Sequence, residues 1–106
     1  MATFYHASQA SLGVGDTTVV TSTSNSTIVL SILVANRDGS FAADITTSHN
    51  DASDVIQNYL AFTIPVPADA NVELLSSKYI LPSGEKLVAK ASSSADLDIA
   101  VSYVEV

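Results

Sequence analysis

Ser83-Gly84-Glu85-Lys86 sets a hydroxyl, a glycine, a carboxylate and an ammonium side by side. Such a set could form a small reactive or phosphate-binding loop. A phosphate loop needs a strand, several glycines and then a helix whose N-terminus meets the anion. Here a single glycine leads into Glu-Lys-Leu-Val-Ala-Lys-Ala, an alternating run, and Pro82 stands before it. The stretch reads as a turn between strands, with Pro at the favoured position and Gly two later.

The other polar groups fare similarly. His6 and His49 are the only histidines. His49 with Asn50, Asp51 and Asp54 offers hard oxygen ligands, but without the alternate spacing, the Gly or the closing Glu of a calcium loop, so a solvated turn is expected. No G-x-S-x-G elbow accompanies the many serines, and no Ser/His/Asp set is indicated by position. Asp96 and Asp98 share a strand face. That pair suits solubility and protection of a sheet edge better than paired-carboxylate hydrolysis. Asn25-Ser26-Thr27 matches a glycosylation sequon, which is idle without a secretory route. No catalytic residue, cofactor site or metal site is expected.

These residues sit among elements of one kind. Leu97, Ile99, Val101 and Tyr103 alternate with Asp98, Ala100 and Ser102. Ile28, Leu30, Ile32 and Val34 are expected on one side of a strand, with Ser31 opposite. Leu60, Phe62, Ile64 and Val66 are expected to oppose Ala61 and Thr63, and Leu87, Ala89 and Ala91 to oppose Lys86, Val88 and Lys90. Period two buries one face of a strand and wets the other. Asn36-Arg37-Asp38-Gly39 is expected to close a hairpin between strands at 27–35 and 41–47. The tract 21–27 is expected to do the same between 17–20 and 28–34. Residues 48–54 form a polar loop, Pro65 to Ala70 separates two strands, and 92–96 is a flexible connection. The fold class is therefore all-β: a β-sandwich or jelly-roll-like (β-tulip-like) domain of about seven or eight antiparallel strands. It spans 1–106, with 1–10 as an N-terminal arm or edge strand.

Composition narrows the function. The chain has 106 residues, 47% of them apolar and 14% charged, which suits one folded core rather than disorder. Four basic residues face eleven acidic ones, for a net charge of −7. That repels phosphate backbones and anionic membrane surfaces, so neither nucleic acid nor membrane is an expected partner. Cysteine is absent, excluding disulfides and thiolate sites. The apolar runs are too short to span a bilayer, and the N-terminal residues lack a secretory pattern, so use without export is expected. Tyrosine, over-used at interfaces, and the aromatic N-terminus are the better signals of a binding role. Phe4, Tyr5, His6, Arg37, Asp51 and Tyr59 are the expected protein-interface residues, Tyr59 because its parity is opposite to that of Leu60 and Phe62.

Three stretches carry a resemblance: "MATFYHAS", "TSTSNSTIVLSILVANRDGS" and "FTIPVPADANVELLSSKYILPSGEKLVAKASSSADLDIAVSYVEV". From about Ser26 to Glu105 the chain resembles small virion structural proteins of tailed bacteriophages, especially those of marine and cyanobacterial hosts. The shared features are strand and turn signatures, not chemical motifs. The resemblance implies a β-sandwich without enzymatic activity. It would be made in the host cytoplasm and bound in many copies to the major capsid protein or other virion proteins. A decoration (cement) protein on the capsid exterior is the first expectation, as a homo-oligomer, with a trimer the natural symmetry. A tail, neck or baseplate component is the alternative. A carbohydrate-binding module, from a different class, is disfavoured by the absence of Trp.

Overall fold

An apolar strand face is buried only if its backbone amides and carbonyls find partners, and here they find them in two antiparallel sheets. The computed structural model describes residues 3–23 and 25–106, among which there are nine strands and no helix. They are β1 (Thr3–Gln9), β2 (Thr17–Thr21), β3 (Ser26–Asn36), β4 (Ala43–Asn50), β5 (Ile56–Val66), β6 (Asn71–Glu73), β7 (Tyr79–Pro82), β8 (Lys86–Ala91) and β9 (Leu97–Glu105). The first sheet runs β1-β9-β3, with β6 and β7 both along the free side of β3. The second runs β2-β8-β4-β5.

The pairs are nested. β1 pairs β9, β2 pairs β8, β3 pairs β7 and β6, and β4 pairs β5. The chain is thus one long antiparallel hairpin rolled so that alternate pairs fall in opposite layers, which is the jelly-roll arrangement. One strand more than expected arises because the strand beside β3 is interrupted after Glu73. There the Glu73 carboxylate, rather than a backbone carbonyl, accepts from the Ile32 amide at 2.7 Å.

This topology corrects the expected hairpins. The connections at 21–27 and 36–43 join different sheets, as do those at 82–86 and 91–97. Only β4 and β5 are consecutive strands that pair with each other. At 36–43 the Asx chemistry serves a sheet crossing: Asp38 Oδ1 accepts from the Ser40 amide at 2.8 Å and the Phe41 amide at 3.3 Å. At 82–85 the Glu85 amide donates to the Pro82 carbonyl at 3.0 Å, with Gly84 third in the turn at φ +83°. Pro82 is therefore first in the turn, not second, and Gly84 takes the left-handed position. Residues 48–50 belong to β4 rather than to a loop.

The core lies between the sheets. Leu97, Ile99 and Val101 are buried as alternation requires, as are Leu87, Ala89 and Ala91; Val88, on the outer face, is also covered. Two strands break the expected pattern. In β3 the register with β9 shifts between Val29 and Ser31, so the parity changes: Val29, Ile32 and Val34 are buried while Ile28 and Leu30 are half-exposed. In β5 the register with β4 shifts repeatedly and Thr63 has φ +49°. Ala61 and Val66 are buried there, Leu60 is half-buried, and Phe62 and Ile64 are exposed.

The two ends of the sandwich are stitched by polar side chains. At one end Asn36, 4% exposed, donates from Nδ2 to the carbonyls of Phe41 (3.0 Å) and Val66 (2.9 Å) and accepts from the Asp38 amide (2.8 Å). Replacing Asn36 by Ala strands three backbone groups at once. The expected cost is roughly 1–3 kcal/mol, read as a lower denaturant midpoint with an unchanged slope.

Candidate functional site

The polar residues singled out by type do not converge on one centre. In the turn before β8, Glu85 and Lys86 point to different partners. Lys86 Nζ donates to Asp54 at 2.8 Å. The Glu85 carboxylate meets Nε2 of His49, and Nδ1 of His49 lies 2.7 Å from the Tyr79 hydroxyl, which donates to Asn58 Oδ1 at 3.0 Å. His49 is 8% exposed and its ring stands edge-on to Tyr79. A carboxylate, an imidazole and a phenol in series can pass a proton. Here they also span the layers, since β4 and β5 lie in the second sheet and β7 in the first.

The residues weighed as a ligand loop and expected to form a solvated turn are dispersed. His49 faces Tyr79 and Glu85; Asn50 accepts from Ser48 Oγ at 2.7 Å; Asp54 holds Lys86. Asp51 closes its own turn, accepting from the amides of Ser53 (2.8 Å) and Val55 (3.0 Å). Among the described residues no group of three or more His, Cys, Asp or Glu side chains could hold a metal ion. Asp98 does not guard an edge, because β9 lies between β1 and β3. It accepts from Arg37 Nε at 3.1 Å and from the Ser11 amide at 2.8 Å, while Asp96 accepts from Ser93 Oγ at 2.7 Å. In the sequon, Thr27 is buried and donates to Ser22 Oγ at 2.9 Å.

The six expected interface residues are spread over the molecule. Phe4 and His6 lie on the outer face of the first sheet, opposite Val104 and Ser102 of β9. Tyr5 points the other way and stacks on Tyr103, ring centroids 5.5 Å apart. Arg37 sits at the end of the sandwich stitched by Asn36, tied to Asp98, the Ala95 carbonyl (2.8 Å) and Ser11. Asp51 is at the opposite end. Tyr59 pairs with Ser48 on the outer face of the second sheet, 46% exposed, with Phe62 edge-on at 4.8 Å.

Sequence reasoning missed the broader surface pattern. Register places Phe4, Val104, Ile28 and Ile80 in one row across β1, β9, β3 and β7. Directly paired residues share a face, so this is an apolar stripe on the outside of the first sheet. Phe4 is 75% and Ile80 59% exposed. A second apolar strip, Val55, Ile56, Tyr59, Phe62 and Ile64, lies along β5, the edge of the second sheet. The segment Ile56–Val66 contains no charged residue. That feature was legible in the sequence, but only the edge position turns it into a surface.

No protein-family model and no curated protein sequence matches the chain. Solved structures share its fold. A chain from the acid-stable capsid of Helicobacter pylori bacteriophage KHP30 superposes with a TM-score of 0.58 at 13% identity, covering 98% of this chain and 91% of that one. A chain of the T13 IBDV viral particle superposes with a TM-score of 0.57 at 8% identity, covering 97% of this chain. This chain spans 30% of the length of that protein. At these identities the likeness is one of fold.

Two measurements probe the polar clusters. His49→Ala removes the link between Glu85 and Tyr79 and is expected to cost about 1–2 kcal/mol, with faster amide exchange in β7. Tyr103 titrates above the ordinary tyrosine value, because burial disfavours its phenolate, with the Glu105 carboxylate and Tyr5 adding to the effect. The unfolded chain therefore releases this proton first. Stability falls as pH rises through about 10 and beyond, and Tyr103→Phe is expected to flatten that alkaline slope in pH-dependent melts.

Proposed function

We propose that this chain is a non-enzymatic structural protein of a virus particle, of the kind found in tailed bacteriophages. Within the particle we assign it to the outer surface of the major capsid protein lattice, as a decoration protein that stabilises the head. The observation that carries this reading is the size of the KHP30 match. A chain of nearly this length, with this fold over 91% of itself, comes from a phage capsid. Three features support it. The strongest polar cluster ties the sheets together, with its phenol already engaged by Asn58. Apolar side chains are presented on sheet faces and an edge, where they can bury area against a partner. A net charge of −7 suits the outside of a shell better than contact with packaged DNA.

The mechanism is adhesion. Each copy covers a seam between capsid subunits, and contacts that are weak singly add up over many copies. Immunogold electron microscopy of intact particles with antibody to this chain tests the assignment. Label over the heads is expected. Label confined to tails or baseplates selects the tail reading, and particles without label exclude a virion role. Particles assembled without the chain are further expected to release DNA at a lower temperature than complete ones.

A further inference from the structure

The outer face of the first sheet has two unlike halves. At one end Phe4 stands out from the apolar row that continues through Val104 and Ile28 to Ile80. The next row is small and polar: His6, Ser102 and Ser31. Beyond it, Ser8, Ala10, Leu33, Ala35, Asp98 and Ala100 line a shallow groove of about 250 Å³. Ser8, Ala10, Ala35 and Ala100 are small and leave the recess open, and its volume exceeds that of a phenyl ring. Phe4 and Ser8 are four residues apart on β1, about 14 Å along the strand. One face therefore carries both a protruding ring and an apolar recess that can receive one.

We propose that this face binds a second copy of the same chain, with Phe4 of each copy seated in the groove of the other. The symmetry is a two-fold axis lying in the interface, across the strands, near the row of His6, Ser102 and Ser31. Rotation about that axis reverses strand direction and leaves lateral position unchanged. It brings the ring of one copy over the recess of its partner, and the reverse, so the contact is isologous and closed. The expected unit is a dimer, in place of the trimer anticipated from symmetry alone.

Charge limits where such a contact can form. Two chains of net charge −7 repel, so a self-association surface must be one that carries no free like charge. Among the described residues the carboxylates on this face are Asp98, which lines one side of the groove, and Glu73, on β6 at the edge of the sheet. Asp98 is held by Arg37 and the Ser11 amide, and Glu73 accepts from the amides of Ile32 (2.7 Å) and Leu75 (3.2 Å). Area points the same way. Four strands about 4.8 Å apart and seven residues at about 3.4 Å each make a face on the order of 450 Å². Two such faces pressed together approach the roughly 1,000 Å² at which specific interfaces begin. The proposal concerns the isolated chain and stands or falls without a virion.

Analytical ultracentrifugation of the purified full chain tests it. A dimer at micromolar concentration is expected. Phe4→Asp removes two buried rings per pair and should weaken association on the order of a hundredfold or more. Its circular dichroism and melting should be unchanged in form, since the ring is exposed in the single copy. Ala100→Leu, which fills the groove, should act alike. Phe41→Asp, at a ring 73% exposed but near the loop end, should leave the dimer intact. A wild-type monomer at high concentration overturns the proposal, and so does a dimer that survives both Phe4→Asp and Ala100→Leu.

Discussion

The pairing of β9 with β1 on one side and β3 on the other closes the nest of antiparallel pairs and commits both faces of the first sheet at once. Leu97, Ile99 and Val101 project inward and are 0–1% exposed, so they form much of the core floor. Asp98, Ala100, Ser102 and Val104 project outward. They hold Arg37, line the groove, form the polar row and complete the apolar stripe, in that order. Because side chains alternate strictly, a slip of one residue would exchange the two sets, exposing the core and burying Asp98. The bulge in β3 is the compensating irregularity: it lets Val29 and Ile32 both reach the core while β3 remains paired to β9.

The polar side chains that look like chemistry in isolation are used to hold the ends of the sandwich. Asn36, Arg37, Asp38 and Asp98 join the crossings at one end. At the other end His49, Asp54, Glu85 and Lys86 tie the crossing before β8 to β4 and to the β4–β5 turn, which Asp51 closes. A jelly roll concentrates its sheet crossings at its two ends, and each crossing leaves backbone groups that a strand ladder cannot satisfy. Side-chain carboxylates and amides fill that need. The row from Phe4 to Ile80 and the β5 edge are left uncharged and largely apolar in an acidic protein. Such a surface suits close contact with protein neighbours. If the first-sheet face is taken by a second copy, the β5 strip of each copy stays free for another surface.

Much of the fold was legible. Alternation in β8 and β9 named their buried residues, and the lack of any helical period pointed to an all-β chain. The errors have physical causes. Asn36 to Gly39 looks like a hairpin because sheet crossings and hairpins both need capped, tightly bent backbone. Asp98 was assigned to edge protection because strand order was unknown. In β5, exposed Phe62 and Ile64 mimic a buried stripe, and a free edge cannot be told from a central strand by hydrophobicity. His49 read as a loop residue because its partners, Tyr79 and Glu85, are about thirty positions away.

What the sequence alone determined was local: strands rather than helices, one apolar side for most of them, and a net charge of −7. Tertiary structure alone decided which strands pair, in which register, and therefore which residues meet. Backbone hydrogen-bonding groups are the same at every position, so a strand carries no local label for its partner. The partner is selected only when every inward side chain must fit one shared core, and the row from Phe4 to Ile80 exists as a surface only after that selection is made.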